Sequence, residues 1–273
     1  MPAVWASFAW RCGFFLFPAG FARTQRGHMV GYLHSIESMG NVDGPGVRTV
    51  VFLQGCALRC CYCHNPDTWP AAGGAPTQPQ QLVEKLLRYK PYYGAAGGVT
   101  FSGGEPLLQP GFLGECLRLC RQAGIHTCLD TAGVGLGSYD VILRWTDLVL
   151  FDVKHEAPEG YRRVTGCGME RAEAFLQAVR RAGTPMWVRH VVVPGLTDGE
   201  AHMCALAAYV ETLPNVQRVQ LLPYHTLGVK KYDALGIPYA LRGTPPMDAQ
   251  LCRQYETAFF SAYAEDRKGD RNG

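Results

Sequence analysis

The 273-residue chain has no marked excess of either charge, no low-complexity run and no internal repeat. Its 26 Lys and Arg residues nearly balance 23 Asp and Glu residues, which gives a formal net charge of +3 at pH 7. That balance is too even to indicate a nucleic-acid-binding surface. The apolar run at residues 14–17 ends at Pro18, far short of the about 20 residues that a helix needs to cross a bilayer. We expect neither nucleic acid nor membrane as a partner.

The first 28 residues differ in composition from the rest, being rich in Ala, Phe and Trp. Met29 begins a strand-like segment at residues 29–35, so we expect residues 1–28 to be an extension that is disordered or not truly translated. A targeting segment is the alternative, although its leader is poor in basic residues. We expect one domain over residues 29–265 and a polar tail over residues 266–273.

Strand-like and helix-like segments alternate from residue 47 onward. The predicted strands are residues 47–54, 98–101, 125–129, 148–153, 186–193 and 216–222, and the predicted helices are residues 80–89, 111–123, 139–144, 170–182, 199–212 and 249–264. Such alternation predicts an α/β fold with a parallel sheet and right-handed crossovers, either doubly wound or a partial barrel.

Chemically distinctive residues fall just after the predicted strands. They are Cys56, Gly103, Asp130, Asp152, Pro194 and His225. The carboxyl ends of parallel strands meet at one edge of a sheet or barrel, which is where such folds place their sites. The two carboxylates would attract a cationic ligand to this edge, and Lys154 and Arg189 would add positive partners.

Three of the 11 cysteines, Cys56, Cys60 and Cys63, lie in one short loop. Three thiolates can hold three irons of a 4Fe–4S cluster and leave the fourth iron open to a small molecule. A zinc site completed by His64 is an alternative, as are free or disulfide-bonded thiols. No second cysteine pair follows at the spacing of a zinc ribbon. We interpret the neighbouring Cys61 as a packing residue.

A Gly-Gly-Glu turn follows the second predicted strand at Gly103, Gly104 and Glu105. Two glycines let the backbone approach a ligand closely, although an ordinary turn explains them equally well. Together with the Cys-x3-Cys-x2-Cys loop and Tyr62 before its last cysteine, this turn resembles the radical S-adenosylmethionine (SAM) superfamily.

Longer segments resemble one family of that superfamily, the pyruvate formate-lyase activating enzymes. They are VDGPGVR at residues 42–48, CHNPDTW at 63–69, HTCLDT at 126–131 and LLPYHTLG at 221–228. The resemblance covers about residues 30–262. Residues 64–100 contain no cysteine, and this segment is too short to hold the ferredoxin-like insert found in many other activases. Cys61, where the family more often has an apolar residue, and residues 1–28 depart from the family pattern.

The resemblance implies a partial (β/α)6 barrel that cleaves SAM reductively at a 4Fe–4S cluster. It implies a 5′-deoxyadenosyl radical that makes a glycyl radical on pyruvate formate-lyase under anaerobic conditions. It further implies a cytoplasmic monomer that receives electrons from reduced flavodoxin or ferredoxin. The alternatives are the activase of another glycyl radical enzyme, a radical SAM enzyme acting on a small molecule or peptide, and an iron–sulfur electron-transfer protein without SAM chemistry.

The resemblance also implies residue roles. Cys56, Cys60 and Cys63 would bind the cluster, Lys154 would act in catalysis, and Asp43 would face the protein substrate. A monovalent cation, Na⁺ or K⁺, would lie at Asp130, Thr131 and Asp152. The expected SAM-binding residues are Tyr62, Cys63, His64, Gly103, Gly104, Glu105, Asp130, Asp152, Val153, Lys154, Arg189 and His225.

Overall fold

The computed structural model describes residues 29–264. The expected extension at residues 1–28 and the expected tail at residues 266–273 lie outside the described residues. None of the helices within residues 29–264 is long and apolar enough to span a membrane.

One eight-stranded sheet organises the fold, in the order β3-β1-β2-β4-β5-β6-β7-β8. Its strands are β1 (Gly31–Gly40), β2 (Arg48–Leu53), β3 (Ala75–Thr77), β4 (Gly98–Gly103), β5 (His126–Thr131), β6 (Leu148–Asp152), β7 (Met186–Val192) and β8 (Val216–Pro223). From β2 through β4 to β8 every pairing is parallel. The six predicted parallel strands are confirmed, each with bounds within two residues of the prediction.

Two antiparallel strands extend one edge of the sheet. β1 pairs with β2 and corresponds to the predicted opening strand, while β3 pairs with β1. β3 was not predicted from the sequence, because this strand has only three residues, one of them Pro76, and follows two glycines.

Eight α-helices connect or flank the strands within the described residues. They are α1 (Pro79–Leu87), α2 (Pro110–Gln122), α3 (Tyr139–Leu143), α4 (Pro158–Thr165), α5 (Glu170–Ala182), α6 (Glu200–Thr212), α7 (Val229–Leu235) and α8 (Ala249–Phe260). The six predicted helices are present, and α4 and α7 are additional. α4 has boundary signals that were overlooked, since Pro158 lies in its first turn and Gly166 ends it with φ of 76°.

The sheet separates an outer apolar layer from a mixed interior. On its outer side Phe151 of β6 stacks on Phe175 of α5, with ring centroids 6.1 Å apart. Inside, Cys128, Leu148, Leu150 and Trp187 form a separate apolar cluster. Asp130, Asp152 and Arg189 lie two positions beyond Cys128, Leu150 and Trp187, and they share the face of these residues because side chains two apart on a strand point the same way. The interior therefore has an apolar floor below a polar cavity, as expected for the predicted partial (β/α)6 barrel.

Arg48 is fully buried beside the floor of the barrel. Its guanidinium donates to Thr100 Oγ1 at 2.6 Å, to the Val99 carbonyl at 2.7 Å and to the Pro45 carbonyl at 3.0 Å. Thr100 Oγ1 in turn donates to the Asp43 carbonyl at 2.6 Å. Arg48 thus anchors the loop before β2 and sets the position of Asp43.

Arg48→Met should destabilise the protein by about 2–4 kcal/mol, since several buried carbonyl and hydroxyl oxygens would lose their donor. Urea unfolding under anaerobic conditions measures the change. Arg88→Met, at an exposed position of the same residue type, should stay within about 0.5 kcal/mol. Equal stability of the two variants would contradict the anchoring role.

His126 at the start of β5 lies against this arginine. Arg48 Nη2 lies 3.4 Å from its Nδ1. Burial, followed by the charges of Arg48 and Arg121, lowers the pKa of His126 to about 4. The unfolded chain therefore binds a proton more readily, and stability should fall as the pH drops below about 6.5 toward 4.

Between pH 7 and pH 5 this single group should cost about 1 kcal/mol, discounted for its partial exposure. His126→Asn keeps a side-chain acceptor but does not titrate. Between the two pH values this variant should lose about 1 kcal/mol less of its free energy of unfolding than the unmodified protein does, as measured by urea unfolding. Parallel curves for the two proteins would show that His126 is not held neutral.

Candidate active site

A cavity of about 360 Å³ opens at the carboxyl end of the parallel strands. Every one of these strands contributes a lining residue, namely Phe52, Ser102, Asp130, Asp152, Arg189 and Leu222. A cavity that touches six neighbouring strands requires the sheet to curve around it. Its volume falls in the range of about 300–1,000 Å³ that is usual for small-molecule sites.

The cysteine loop forms one wall of this cavity. Cys56, Cys60 and Cys63 line it, whereas Cys61, which is buried in the core as Cys60 is, does not. The loop is held from behind by the end of α4, because Arg59 N donates to the Thr165 carbonyl and Cys61 N to the Val164 carbonyl, both at 2.9 Å. The overlooked helix α4 therefore fixes which thiols face the cavity.

The spacing of the three thiols fits a cluster better than a single zinc ion. Sulfur ligands of one tetrahedral zinc lie about 3.8 Å apart, as follows from a Zn–S distance of about 2.3 Å. Within residues 29–264, these cysteines are not among the groups of three ligand atoms that all lie within 4.8 Å of one another. At least one pair of the three sulfur atoms is therefore more than 4.8 Å apart, a spread that a cluster can bridge more readily than a single ion. The zinc alternative is not supported.

Burial makes the thiols poor anions without a metal. It raises the pKa of Cys60 to about 12, and it also raises the pKa values of Cys56 and Cys63. Coordinated cations supply the compensating positive charge that such thiolates need. The loop is therefore suited to hold a metal cluster and unsuited to a free nucleophilic thiol.

The Gly-Gly-Glu turn is joined to the cysteine loop by backbone hydrogen bonds. Gly104 N donates to the Leu53 carbonyl at 2.9 Å and Glu105 N to the Gly55 carbonyl at 2.8 Å. A Cβ at Gly104 would collide with the Gly55 carbonyl oxygen, and Gly103 has φ of 120°. Both glycines are required by this close approach of β2 and β4, which brings the turn to the cavity wall.

The carboxylate of Glu105 forms its hydrogen bonds with other residues of the protein. Its carboxylate accepts hydrogen bonds from Thr131 Oγ1 at 2.6 Å and from the backbone N–H groups of Leu107 and Ala132 at 3.1 Å. Burial raises its pKa to about 7, although these donors favour the ionised form. Glu105 thus ties the Gly-Gly-Glu turn to the end of β5.

Asp130 and Asp152 meet Arg189 and Lys154 on a wall of the cavity that adjoins the cysteine loop, where Lys154 Nζ lies 5.8 Å from the ring centroid of Tyr62. Asp130 accepts from Ser102 Oγ at 2.6 Å and from Arg189 Nη1 at 3.3 Å. Lys154 Nζ donates to Asp152 Oδ2 at 2.8 Å. The predicted convergence of the carboxylates and cations on one rim is therefore present.

The electrostatics of this wall leave a residual negative charge. Burial raises the pKa of Asp130 to about 6, and the charge of Asp152 adds to this effect. Burial also opposes ionisation of Asp152, but the positive charges of Lys154 and Arg189 outweigh it and lower its pKa. With Asp43, whose Oδ1 lies 4.0 Å from Arg189 Nη1, three carboxylates face two cations. The wall can attract a cationic ligand.

Two buried polar atoms of the cavity wall have no hydrogen-bond partner among residues 29–264. They are Tyr62 Oη and Arg189 Nε. Buried polar groups are normally satisfied, so these two atoms are exceptions within the described part of the chain, although neither is exposed to the cavity itself.

His225 and Val153 stand apart from the other expected site residues, since neither lines the cavity. His225 stacks on His64, with ring centroids 4.0 Å apart, and its carbonyl accepts from His64 Nε2 at 3.1 Å. His64 does line the cavity. Val153 is buried, and its carbonyl contacts His190. Any effect of His225 on the cavity therefore passes through His64.

Several lining residues were not anticipated from the sequence. Ser102 holds Asp130, and Trp69 packs under the guanidinium of Arg59, 4.8 Å from its ring centroid. Both had a usable signal, because Ser102 directly precedes Gly103 and Trp69 ends the CHNPDTW segment.

Comparison with known proteins places this cavity in a family. Residues 50–207 match the model of the radical SAM superfamily. The chain is 54% identical over 229 residues to the pyruvate formate-lyase-activating enzyme of Clostridium pasteurianum, covering 84% of this chain and 96% of that one. It is 44% identical over 249 residues to the enzyme of that name from Streptococcus mutans, covering 88% and 95%. This chain belongs to the pyruvate formate-lyase-activating enzyme family.

The family assignment confirms the resemblance predicted from the sequence. Membership of the radical SAM superfamily implies a 4Fe–4S cluster and SAM, the two cofactors that the cysteine loop and the Gly-Gly-Glu turn indicated. The cavity has the three separated thiols and the polar wall that such a pair requires.

Solved structures agree on the fold. A radical SAM methyltransferase from Sphaerobacter thermophilus superposes with a TM-score of 0.60 at 17% identity, covering 89% of this chain and 69% of that one. SuiB of Streptococcus suis bound to its precursor peptide SuiA gives a TM-score of 0.58 at 16% identity, covering 78% and 46%. At these identities the likeness supports the partial barrel alone.

Proposed function

We propose that this protein, through one catalytic domain at residues 29–265, generates a glycyl radical on pyruvate formate-lyase. The observation that carries the proposal is one cavity lined both by the three thiols and by a cluster of charged side chains beside them. The 54% identity to an enzyme named for this activity supports the choice of protein substrate.

The cofactors supply the radical chemistry, and the chain supplies their placement. When bound, the cluster and SAM would together supply the reductive cleavage of SAM and the abstraction of a hydrogen atom from the glycine, with the electron coming from the external donor. Cys56, Cys60 and Cys63 would hold the cluster through three of its four irons.

We assign SAM to the charged wall beside the thiols. The assigned residues are Tyr62, Cys63, His64, Gly103, Gly104, Glu105, Asp130, Asp152, Val153, Lys154, Arg189 and His225. Glu105 and Val153 contribute through the backbone they position, and His225 through its stacking on His64. Lys154, held by Asp152, is the charged group placed to orient a SAM carboxylate or ribose oxygen.

A monovalent cation, Na⁺ or K⁺, is proposed at Asp130, Thr131 and Asp152. The support is the excess of three carboxylates over two cations at this wall. Thr131 lies between them and Glu105, to which its hydroxyl donates. A small cation here would balance the carboxylates without the bulk of another side chain.

The protein substrate is proposed to approach Asp43, whose side chain is 23% exposed. Two strongly exposed apolar side chains lie near the site in sequence, Val42 at 73% and Leu227 at 82%. They are suited to contact a protein and have no role toward SAM. Reduced flavodoxin or ferredoxin is the proposed electron donor, and the protein is proposed to act as a cytoplasmic monomer.

Electron paramagnetic resonance tests the proposal directly. The reconstituted, reduced protein with SAM should produce a glycyl doublet on purified pyruvate formate-lyase. A pyruvate formate-lyase in which the radical-bearing glycine is replaced by alanine serves as the control and should give no doublet. A doublet on a different glycyl radical enzyme but none on pyruvate formate-lyase would move the chain to a sister activase. Absence of SAM cleavage would leave only an electron-transfer function.

A further inference from the structure

A second group of ligand atoms lies on the outer side of the sheet, behind the cavity. His155, Glu156 and His202 offer ligand atoms that all lie within 4.8 Å of one another. His155 and Glu156 belong to the segment between β6 and α4, and His202 to the first turn of α6. The group uses none of the residues assigned above, and it stands whether or not the proposed function is correct.

The hydrogen bonds around His202 fix where its protons lie. His190 Nδ1 lies 2.7 Å from the Val153 carbonyl, an acceptor, so this nitrogen carries the proton and donates. His190 Nε2 then has a free lone pair and accepts from His202 Nε2 at 3.1 Å. In the neutral ring, His202 Nδ1 is left with a lone pair.

His155 also has a lone pair, on Nδ1, close to Glu156. Its Nδ1 accepts from Ala157 N at 3.1 Å, so it carries no proton in the neutral ring. The same Nδ1 lies 3.1 Å from Glu156 Oε2, and His202 Nδ1 lies 3.4 Å from that oxygen. Glu156 Oε2 is buried and has no hydrogen-bond donor among the described residues. Three electron-rich atoms therefore face one another with no hydrogen between them.

Such an arrangement repels itself unless a cation lies at its centre. Ligand atoms about 2.0–2.1 Å from a tetrahedral zinc ion lie about 3.3 Å from one another. The observed separations of 3.1 and 3.4 Å match that edge length. A zinc ion would take the lone pair of His155 Nδ1 that now accepts from Ala157 N, the N-cap residue of α4.

We propose that His155 Nδ1, Glu156 Oε2 and His202 Nδ1 bind a zinc ion. His190 positions the ring of His202 from behind, in the manner of a second ligand shell. The ion would fasten the segment after β6 to α6. Lys154 directly precedes this segment and Arg189 directly precedes His190, so the ion would brace two side chains of the cavity wall.

Zinc X-ray absorption on the cluster-loaded full-length protein tests the proposal. After addition of zinc and removal of the excess by gel filtration, we expect about one zinc per chain in addition to the iron. The zinc shell should contain nitrogen and oxygen at about 2.0–2.1 Å and no sulfur at about 2.3 Å. A sulfur shell would place the zinc on the cysteines and overturn the proposal, as would no retained zinc, which would mean that a shared proton satisfies the group.

Variants give a second readout through chelator competition. His202→Gln and the nearly isosteric Glu156→Gln should each weaken zinc binding by more than tenfold. His34→Gln is the matched control, since His34 also contacts a carboxylate, that of Asp67 at 3.1 Å, and it should bind zinc as the unmodified protein does. Unchanged affinity in both site variants would refute the assignment even if zinc is retained. Iron content, measured in the same samples, should stay constant because the cluster thiols are untouched.

Discussion

Serine at Cys56, Cys60 or Cys63 reduces the iron content of the reconstituted protein from about four per chain to near zero. This is the largest effect that the structure predicts. Each of these thiols lines the cavity, and two remaining thiolates would not retain a cluster that already lacks a fourth protein ligand. Iron and sulfide determination with visible absorption spectroscopy measures the loss.

Cys61→Ser provides the matched control, because it removes an adjacent thiol in the same loop. Cys61 packs in the core and its backbone N–H bonds the end of α4, so this variant should keep its iron. Loss of the cluster in Cys61→Ser together with its retention in Cys60→Ser would show that the loop binds iron in a different register.

Asp43→Asn should lower the yield of glycyl radical on pyruvate formate-lyase by about tenfold, equal to about 1.4 kcal/mol. Cleavage of SAM in the absence of the protein substrate should change less than about threefold. The reason is the place of Asp43 at the exposed side of the cavity, 4.0 Å from Arg189, with its backbone held by Thr100. Spin counting and chromatography of 5′-deoxyadenosine measure the two quantities.

The histidine pair should respond in the opposite way. His225→Ala removes the ring that stacks on His64 and should weaken SAM binding by about tenfold, whereas His225→Phe restores a ring surface and should recover most of that loss. Calorimetric titration with SAM distinguishes them. Equal SAM affinity in all three proteins, or a loss of SAM binding in Asp43→Asn, would reverse the roles given to these residues.

The parallel strands of the fold could be predicted from the sequence alone. Buried parallel strands are continuous apolar runs, such as residues 148–151, and the segments between them have helical spacing. β3 and α7 could not be predicted in this way, because β3 gains its hydrogen bonds only from β1 and α7 has a single fully buried side chain, Tyr232. Their stability comes from tertiary contacts that local pattern does not encode.

The rim residues were predictable because strand ends converge, but the direction of each side chain was not. Glu105 turns toward Thr131 and the backbone beyond it, and Val153 is buried at the outer layer. The pairing of Arg189 with Asp130 depends on strands β5 and β7, which are separated by β6. The group at His155, Glu156 and His202 spans two connections of the chain, so no spacing rule would have joined it.

Transfer of deuterium from glycine to SAM-derived nucleoside tests the central claim most directly. Pyruvate formate-lyase labelled with [2,2-²H₂]glycine is incubated with the reduced protein and SAM, and the 5′-deoxyadenosine is analysed by mass spectrometry. We expect the nucleoside to gain one deuterium, and the amount of labelled nucleoside to match the amount of glycyl radical formed. Nucleoside without deuterium, alongside a radical on the partner, would show that this chain does not take its hydrogen from glycine.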